Sequence, residues 1–375
     1  ATVDEAAAAA VTIGEQTKMC FLPDNLDYLR AGGRCSNAVA LVGNLLHLHP
    51  CIEIIDGRLI AGKKYRGKLS KVAPVLLKEF AAKHGIPHIF TSLEEMASSP
   101  LIDAVYIATP NYVHAEQSIL CMNHGKHVLC EKPFASNAKE VRLMIEAAKK
   151  NKVTLMEAMI STLNPNFAIA KERMKDLGTI RRYFASYCQY SSRYDKFKEG
   201  IILNAFKPEL SNGAVMDIGI YTIYPMVALF GKPQQIEAQG IVLHTGADGQ
   251  GAVNFQYEGM NATVLYSKIA NSALPTEIEG EAGNLLLDKI HITKQVDYIP
   301  RQVTAQGKEQ ENHCQSIGVP LEKSEYYYEI AEFINLIEQG RQESSVNSWE
   351  NSLITLEIID EVRSQLGVRY PADEQ

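Results

Sequence analysis

The stretch Gly125-Lys126-His127-Val128-Leu129-Cys130-Glu131-Lys132-Pro133 decides how this chain is read. Four apolar-biased residues, His127 to Cys130, make a short buried strand, and Glu-Lys-Pro ends it. On the near side, residues 103–108 (DAVYIA) form a nearly continuous apolar strand, of the kind buried on both faces of a parallel sheet. Residues 112–124 are helical and stop at Gly125. On the far side, residues 136–151 form a helix that Ser136 can cap, and residues 153–158 form a third strand. The order is βαβαβ, the grammar of a doubly wound sheet. In such a sheet ligands bind beyond the carboxyl ends of the strands, so Lys132 is an ammonium delivered to the crevice. A solvated surface lysine is the alternative.

The grammar changes on both sides of this block. Before about residue 80, residues 18–22 read as a strand, and 25–30 and 37–47 read as helices. Residues 51–55 and 58–61 pair as a hairpin about Asp56-Gly57, and a helix runs over residues 70–84. After residue 160, a helix over 167–177 stops at Gly178. Alternating runs at 182–190, 235–243, 251–257 and 262–269 predict a mostly antiparallel sheet, with helices at 218–229, 323–339 and 348–366.

Composition narrows the function classes. The 375 residues allow two or three domains at roughly 150 each, and the net charge is −7. That balance argues against nucleic acid or an anionic membrane as principal partner. No run approaches the ~18 uninterrupted apolar residues of a spanning helix. The seven cysteines are odd in number and contain no CxxC pair, so buried thiols in a reducing cytoplasm are expected, with no zinc site. The Ala-rich beginning lacks a basic segment and is not read as a secretory leader.

A second constellation is Gly213-Ala214-Val215-Met216-Asp217-Ile218-Gly219-Ile220-Tyr221. Asp217 and Tyr221 are four apart and share a helical face. A carboxylate, a phenol and the Lys132 ammonium make a proton-transfer set, in which the cation would favour the phenolate. The alternative has Asp217 capping a helix and Tyr221 packing in the core. Residues 246–251 (GADGQG) are glycine-rich but read as a β-turn. Gly32-Gly33 lacks the further glycine of a phosphate loop.

From about residue 79 to the C-terminus the chain resembles the Gfo/Idh/MocA oxidoreductases. The matching segments are collinear: EFAAKHGIPHIFTSLEEM, IDAVYIATPNYVH, GKHVLCEKPFA, MEAM, GAVMDIGIY and YYYEIAEFINLIEQG. The resemblance implies an NAD- or NADP-dependent dehydrogenase or reductase acting on a sugar, polyol or diol. It implies an α/β protein with a Rossmann-like parallel sheet, here incomplete, over residues 79–158. A substrate domain with a large mostly antiparallel sheet would follow over 159–375, with a possible homodimer through that sheet. Lys132 matches the family's catalytic lysine, with Tyr221 and Asp217 as the other catalytic candidates. Tyr221 stands where many members have His and resembles the dihydrodiol dehydrogenase branch. Ala108, Thr109, Pro110, Asn111, His114, Glu131 and Lys132 are the candidate cofactor contacts. Tyr194 and Asn204, with Tyr190 and Arg193, are candidates to line the substrate site. His114, His124 and His127 are not read as metal ligands.

Residues 1–78 resemble a different family, the DegV fatty-acid-binding proteins, through DNLDYLRAGGRCSNAVALVGNLLHLHPCIEIIDGRLIAGKKYRGKLSKV. Arg34 matches that family's arginine near the lipid headgroup. The basic cluster Lys64, Tyr65, Arg66 and Lys68 reads as a solvated face. The chain thus reads as a junction of two incomplete modules, without the GxGxxG loop that normally cradles the pyrophosphate. Three functions compete: an impaired oxidoreductase, a lipid-binding fragment, or a relic with neither activity. Without its first strands, the parallel sheet is expected to expose Val105, Ile107, Val128 and Leu129 unless the hairpin covers them.

Overall fold

The computed structural model of the chain describes residues 19–22, 45–55, 58–301 and 313–374. The chain divides into two compact units, residues 1–99 and 100–375. Arg34, Gly32-Gly33 and most of the helices expected at 25–30 and 37–47 lie outside the described residues.

In the first unit, β1 (Met19–Phe21), β2 (Leu48–Ile55) and β3 (Arg58–Arg66) form an antiparallel sheet in the order β1-β2-β3. The expected hairpin is present, with Ile55 opposite Arg58. Helix α1 (Leu69–His84) ends at Gly85 in the left-handed conformation, which glycine adopts without a Cβ penalty. Cys51, Tyr65, Val72 and Leu76 form the small core. Tyr65 therefore does not belong to a solvated face. It is buried and donates to Glu79, which also accepts from Lys63 at 2.7 Å. Lys64, Arg66 and Lys68 are exposed as expected. A short helix, α2 (Leu93–Ser98), is capped by Ser92.

The second unit begins with β4 (Ala104–Ile107), α3 (His114–Asn123), β5 (His127–Glu131), α4 (Ala138–Asn151) and β6 (Leu155–Ala158). Its three strands are parallel in the order β4-β5-β6, as the βαβαβ reading requires. Three details correct that reading. Asn137, not Ser136, caps α4 by accepting from the Glu140 N–H at 2.9 Å, and the Ser136 N–H donates to the Glu140 carboxylate. Among the described residues β4 is an edge strand, with Ala104 and Tyr106 exposed, so it is not buried on both faces. Ile107, Val128 and Leu129 are nonetheless buried. Leu129 packs with Met156 and Ala158 against Phe333 and Leu336, so a helix from the end of the chain covers the sheet.

Helix α5 (Pro165–Arg173) leads into a 3₁₀ turn and β7 (Ile180–Cys188). A π-helical turn, Val215–Gly219, runs directly into α6 (Ile220–Phe230). Then come β8 (Gln235–Val242), β9 (Asp248–Tyr257), β10 (Met260–Ser267), β11 (Thr276–Gly280), β12 (Gly283–Leu287), β13 (Val296–Pro300) and β14 (Gln315–Ser316). They form an eight-stranded sheet in the order β14-β13-β12-β11-β7-β10-β9-β8. It is antiparallel except where β10 runs parallel to β7. The β8–β9 turn falls at residues 243–247, so of the expected turn 246–251 only its start is in the turn, and residues 248–251 belong to β9. Helices α7 (Glu325–Glu338) and α8 (Trp349–Leu366) end the chain. Pro208–Phe230 is long and apolar enough to cross a membrane by length and composition. Here it is a core element, with Ile220, Ile223, Tyr224 and Met226 wholly buried. Of the described cysteines, Cys51, Cys121 and Cys130 are buried thiols, whereas Cys314 is exposed.

Candidate active site

The end of β5 and the π-helical turn meet in one place. Lys132 Nζ donates to the Asp217 carbonyl oxygen at 2.8 Å and to Asp217 Oδ1 at 3.2 Å. The other carboxylate oxygen of Asp217 pairs with Lys268, whose side chain is only 4% exposed. Burial alone would raise the Asp217 pKa. The Lys132 and Lys268 ammoniums reverse that and hold the carboxyl well below the usual range. Asp217 is therefore not a helix cap but a carboxylate shared by two cations.

Tyr221 lies one turn further on, with Lys132 Nζ 4.8 Å from its ring centroid. The ammonium thus sits over the π face. The sequence expectation that Lys132 lowers the phenol pKa is corrected here. Burial pushes it up, and the nearby Glu131 and Asp217 carboxylates add to the rise. In this geometry Tyr221 holds its proton at neutral pH.

The strand-end residues divide into two groups. Thr109 donates to Gln117 at 2.8 Å, and Asn111 donates to the Ser211 carbonyl oxygen at 2.9 Å and to Asn212 Oδ1 at 3.1 Å. Asn111 therefore ties the end of β4 to the loop that leads into the Asp217 turn. Ala108 and Pro110 flank these two on the rim. Glu131 accepts from the Tyr106 hydroxyl and from its neighbour's backbone, the Lys132 N–H, at 3.2 Å. His114 is different. It is buried, with Nε2 2.7 Å from the Thr109 carbonyl oxygen and Nδ1 2.9 Å from that of Pro133. It joins the turns that follow β4 and β5. Burial holds its pKa below the ordinary value.

Tyr194 does not reach the Lys132–Asp217 cluster directly. Its ring packs on Phe197 and Phe206, and Phe206 lies under Lys268 Nζ at 5.6 Å. Asn204 is exposed on a 3₁₀ turn.

Several residues were missed. Lys268 had no motif to mark it, because its partner is 51 residues away. Tyr187 and His291 stack at 4.0 Å with an interplanar angle of 6°, and both set ring edges against Tyr221. The same pair lines a cavity of about 240 Å³ with Ser186, Gln189 and Asp288. Burial, aided by Lys289, lowers the His291 pKa to about 4, so the ring is neutral at pH 7. Two buried carboxyls also stand close by. Burial pushes Glu157 up to about 7 while its Oε1 accepts from the Phe134 N–H at 3.0 Å. Burial, with Glu131 adding repulsion, pushes Glu329 up to about 8.

The comparisons with known proteins agree with this geometry. Residues 70–159 match the oxidoreductase family with an NAD-binding Rossmann fold, and 169–286 match the GFO/IDH/MocA C-terminal domain. The chain is 51% identical over 296 residues to the scyllo-inositol 2-dehydrogenase (NADP(+)) IolU of Bacillus subtilis (strain 168). That alignment covers 79% of this chain and 88% of the relative. The chain belongs to the Gfo/Idh/MocA oxidoreductase family. Another member, a trans-1,2-dihydrobenzene-1,2-diol dehydrogenase of Danio rerio, is 33% identical over 310 residues, covering 80% of this chain and 87% of that one. Among solved Gfo/Idh/MocA-like folds, a levoglucosan dehydrogenase in complex with NADH and levoglucosan superposes with a TM-score of 0.66 at 20% identity. It covers 78% of this chain and 86% of its own. Residues 1–95 match the DegV family of uncharacterised proteins. Helix α1 lies almost wholly within both the oxidoreductase and the DegV matches.

Proposed function

We propose that this Gfo/Idh/MocA protein interconverts a hydroxyl and a carbonyl on a sugar, polyol or diol, with a weakened hold on its cofactor. The observation that carries this reading is the Lys132–Asp217–Lys268 cluster beside Tyr221, at the carboxyl end of a parallel strand. Bound NAD or NADP would take up the hydride in the oxidation direction and return it, as the reduced form, in the reduction direction. Two of the three Lys132 hydrogens are directed at Asp217, which leaves one to orient a substrate oxygen. Tyr221 would donate or recover the hydroxyl proton, and Asp217 would hold Lys132 in place. Thr109, Asn111, Glu131 and Lys132, with Ala108 and Pro110 between and beside them, form a rim suited to the nicotinamide–ribose end of the cofactor. The cavity walled by Tyr187 and His291 suits a ring whose C–H face lies on an aromatic surface. The names of the inositol, dihydrodiol and levoglucosan relatives favour the same substrate class.

The weakened hold rests on the pyrophosphate end. Among the described residues, β4 is the edge of the parallel sheet, with no glycine-rich strand-to-helix turn before it. Each charge-assisted hydrogen bond lost there removes about 1.5–3 kcal/mol. The proposed domains are 1–78, 79–158 and 159–375, the first DegV-like.

Titration with NADH and NADPH, read by nicotinamide fluorescence and calorimetry, tests the reading. Turnover of inositols or diols with binding weaker than micromolar supports the reading, and micromolar binding with turnover supports an oxidoreductase but overturns the weakened hold. No binding at millimolar cofactor overturns it.

A further inference from the structure

Asp248, at the first position of β9, is wholly buried and belongs to none of the contacts with substrate or cofactor considered above. Its Oδ2 accepts from the Val215 N–H at 2.7 Å. Val215 is the first residue of the π-helical turn, so Asp248 satisfies a donor that the turn cannot satisfy internally. Two residues later the same turn presents Asp217, whose own N–H donates to the Gly213 carbonyl oxygen at 3.2 Å. The next residue in β9 fixes the opposite partner. The Lys268 N–H donates to the Gly249 carbonyl oxygen at 2.9 Å. The start of β9 thus holds both backbones of the Asp217–Lys268 pair.

Gly213 shows how close this packing is. A Cβ at that position would lie 2.1 Å from Asp248 Oδ1. Its φ is not in the left-handed region, so space rather than backbone conformation demands glycine. We infer that Asp248 is a positioning residue: it anchors the Val215–Gly219 turn so that Asp217 bridges Lys132 and Lys268, and Gly213 is glycine to admit its carboxylate. The importance of that bridge for catalysis rests on the function proposed above. The positioning itself does not.

The test therefore reads the lysines directly. Folded full-length protein is treated with an amine-acylating reagent, and modification rates are followed by mass spectrometry. Lys126, itself 9% exposed, reports general loosening. Asp248→Ala should raise the modification rates of Lys132 and Lys268 by about tenfold while Lys126 stays unchanged. Asp248→Asn keeps an oxygen for the Val215 N–H and should stay within about twofold of the native rates. Gly213→Ala should match Asp248→Ala, and in the Asp248→Ala background it should add nothing, since contacting residues couple. Unchanged protection of Lys132 and Lys268 in Asp248→Ala overturns the inference. So does a parallel rise at Lys126, or a Gly213→Ala effect that persists without the carboxylate. If Asp248→Ala does not fold, Gly213→Ala against Asp248→Asn gives the same decision: raised rates in the first and near-native rates in the second support it, and any other pattern rejects it. A chain that binds no cofactor still yields this readout, so failure of the proposed function and failure of the positioning role are separable.

Discussion

Lys132 and Asp217 are 85 residues apart in the chain, yet the Lys132 ammonium touches Asp217 twice, at its carbonyl and at its carboxylate. The contact joins the carboxyl end of β5 to the turn that opens α6. It gives the second unit a fixed cation at the strand end, beside a phenol and a deep second lysine.

Removing Lys132 should cost activity and little stability. Asp217 remains paired with Lys268, so no buried charge is abandoned. Lys132→Ala should lower turnover about 10²- to 10⁴-fold, the usual range for a positioned acid–base group, with a melting temperature close to the parent's. Steady-state kinetics with inositol or diol substrates checks this, and parental turnover would remove Lys132 from the mechanism.

Tyr221→Phe separates chemistry from packing. The ring keeps its edge contacts with Tyr187 and His291 and its place under the Lys132 ammonium, while the hydroxyl disappears. Turnover should fall with substrate affinity nearly unchanged. An equal kcat in this variant would exclude the phenol as proton donor.

Asp217→Ala should unfold the protein more readily than either change above. It leaves Lys268 buried without its carboxylate, a loss of about 3–5 kcal/mol for a fully buried pair, and less here because Asp217 is 35% exposed. Asp217 titrates below its unfolded value of about 3.8, so its contribution is present above that pH and lost as pH falls further. Chemical denaturation at pH 7 and pH 3 should show a variant deficit at the first that shrinks at the second.

Glu329 has the opposite sign. Its folded pKa of about 8 lies above the ordinary 4.5, so the folded state holds the proton more tightly. The stability it contributes is full below about pH 4.5 and is lost as pH rises towards 8. Glu329→Gln cannot ionise, and its melting temperature should gain on the parent's steadily from pH 5 to pH 8. A constant difference across that range would show that Glu329 does not titrate there.

The eight-stranded sheet carries Phe184 on β7, Leu265 on the adjacent β10 and Leu286 on β12, two strands from β7 on its other side, each only half-buried. If two copies associate through this face, Phe184→Glu should convert a dimer to a monomer in sedimentation velocity. A parent that sediments as a monomer removes the proposal.

Much of this protein was set by sequence alone. The continuous apolar runs around residues 127–130 and 153–158 specify parallel strands because only a sheet covered by helices buries such runs, whereas the run at 103–108 forms the half-exposed edge of that sheet. Their spacing places Lys132 at a carboxyl end. The GAVMDIGIY segment likewise puts Asp217 and Tyr221 on one turn. Tertiary structure decided the electrostatics. Whether Lys132 lowers the Tyr221 pKa depends on where the ammonium sits, and it lies over the ring with its hydrogens turned to Asp217. Lys268, Asp248, His291 and Glu329 gave no local signal, because each acquires its role from a partner distant in sequence and from burial. Periodicity reports which face of an element is apolar. It does not report which charges share a dry space, and that sharing moves the titration of Asp217, Tyr221, Glu157 and Glu329.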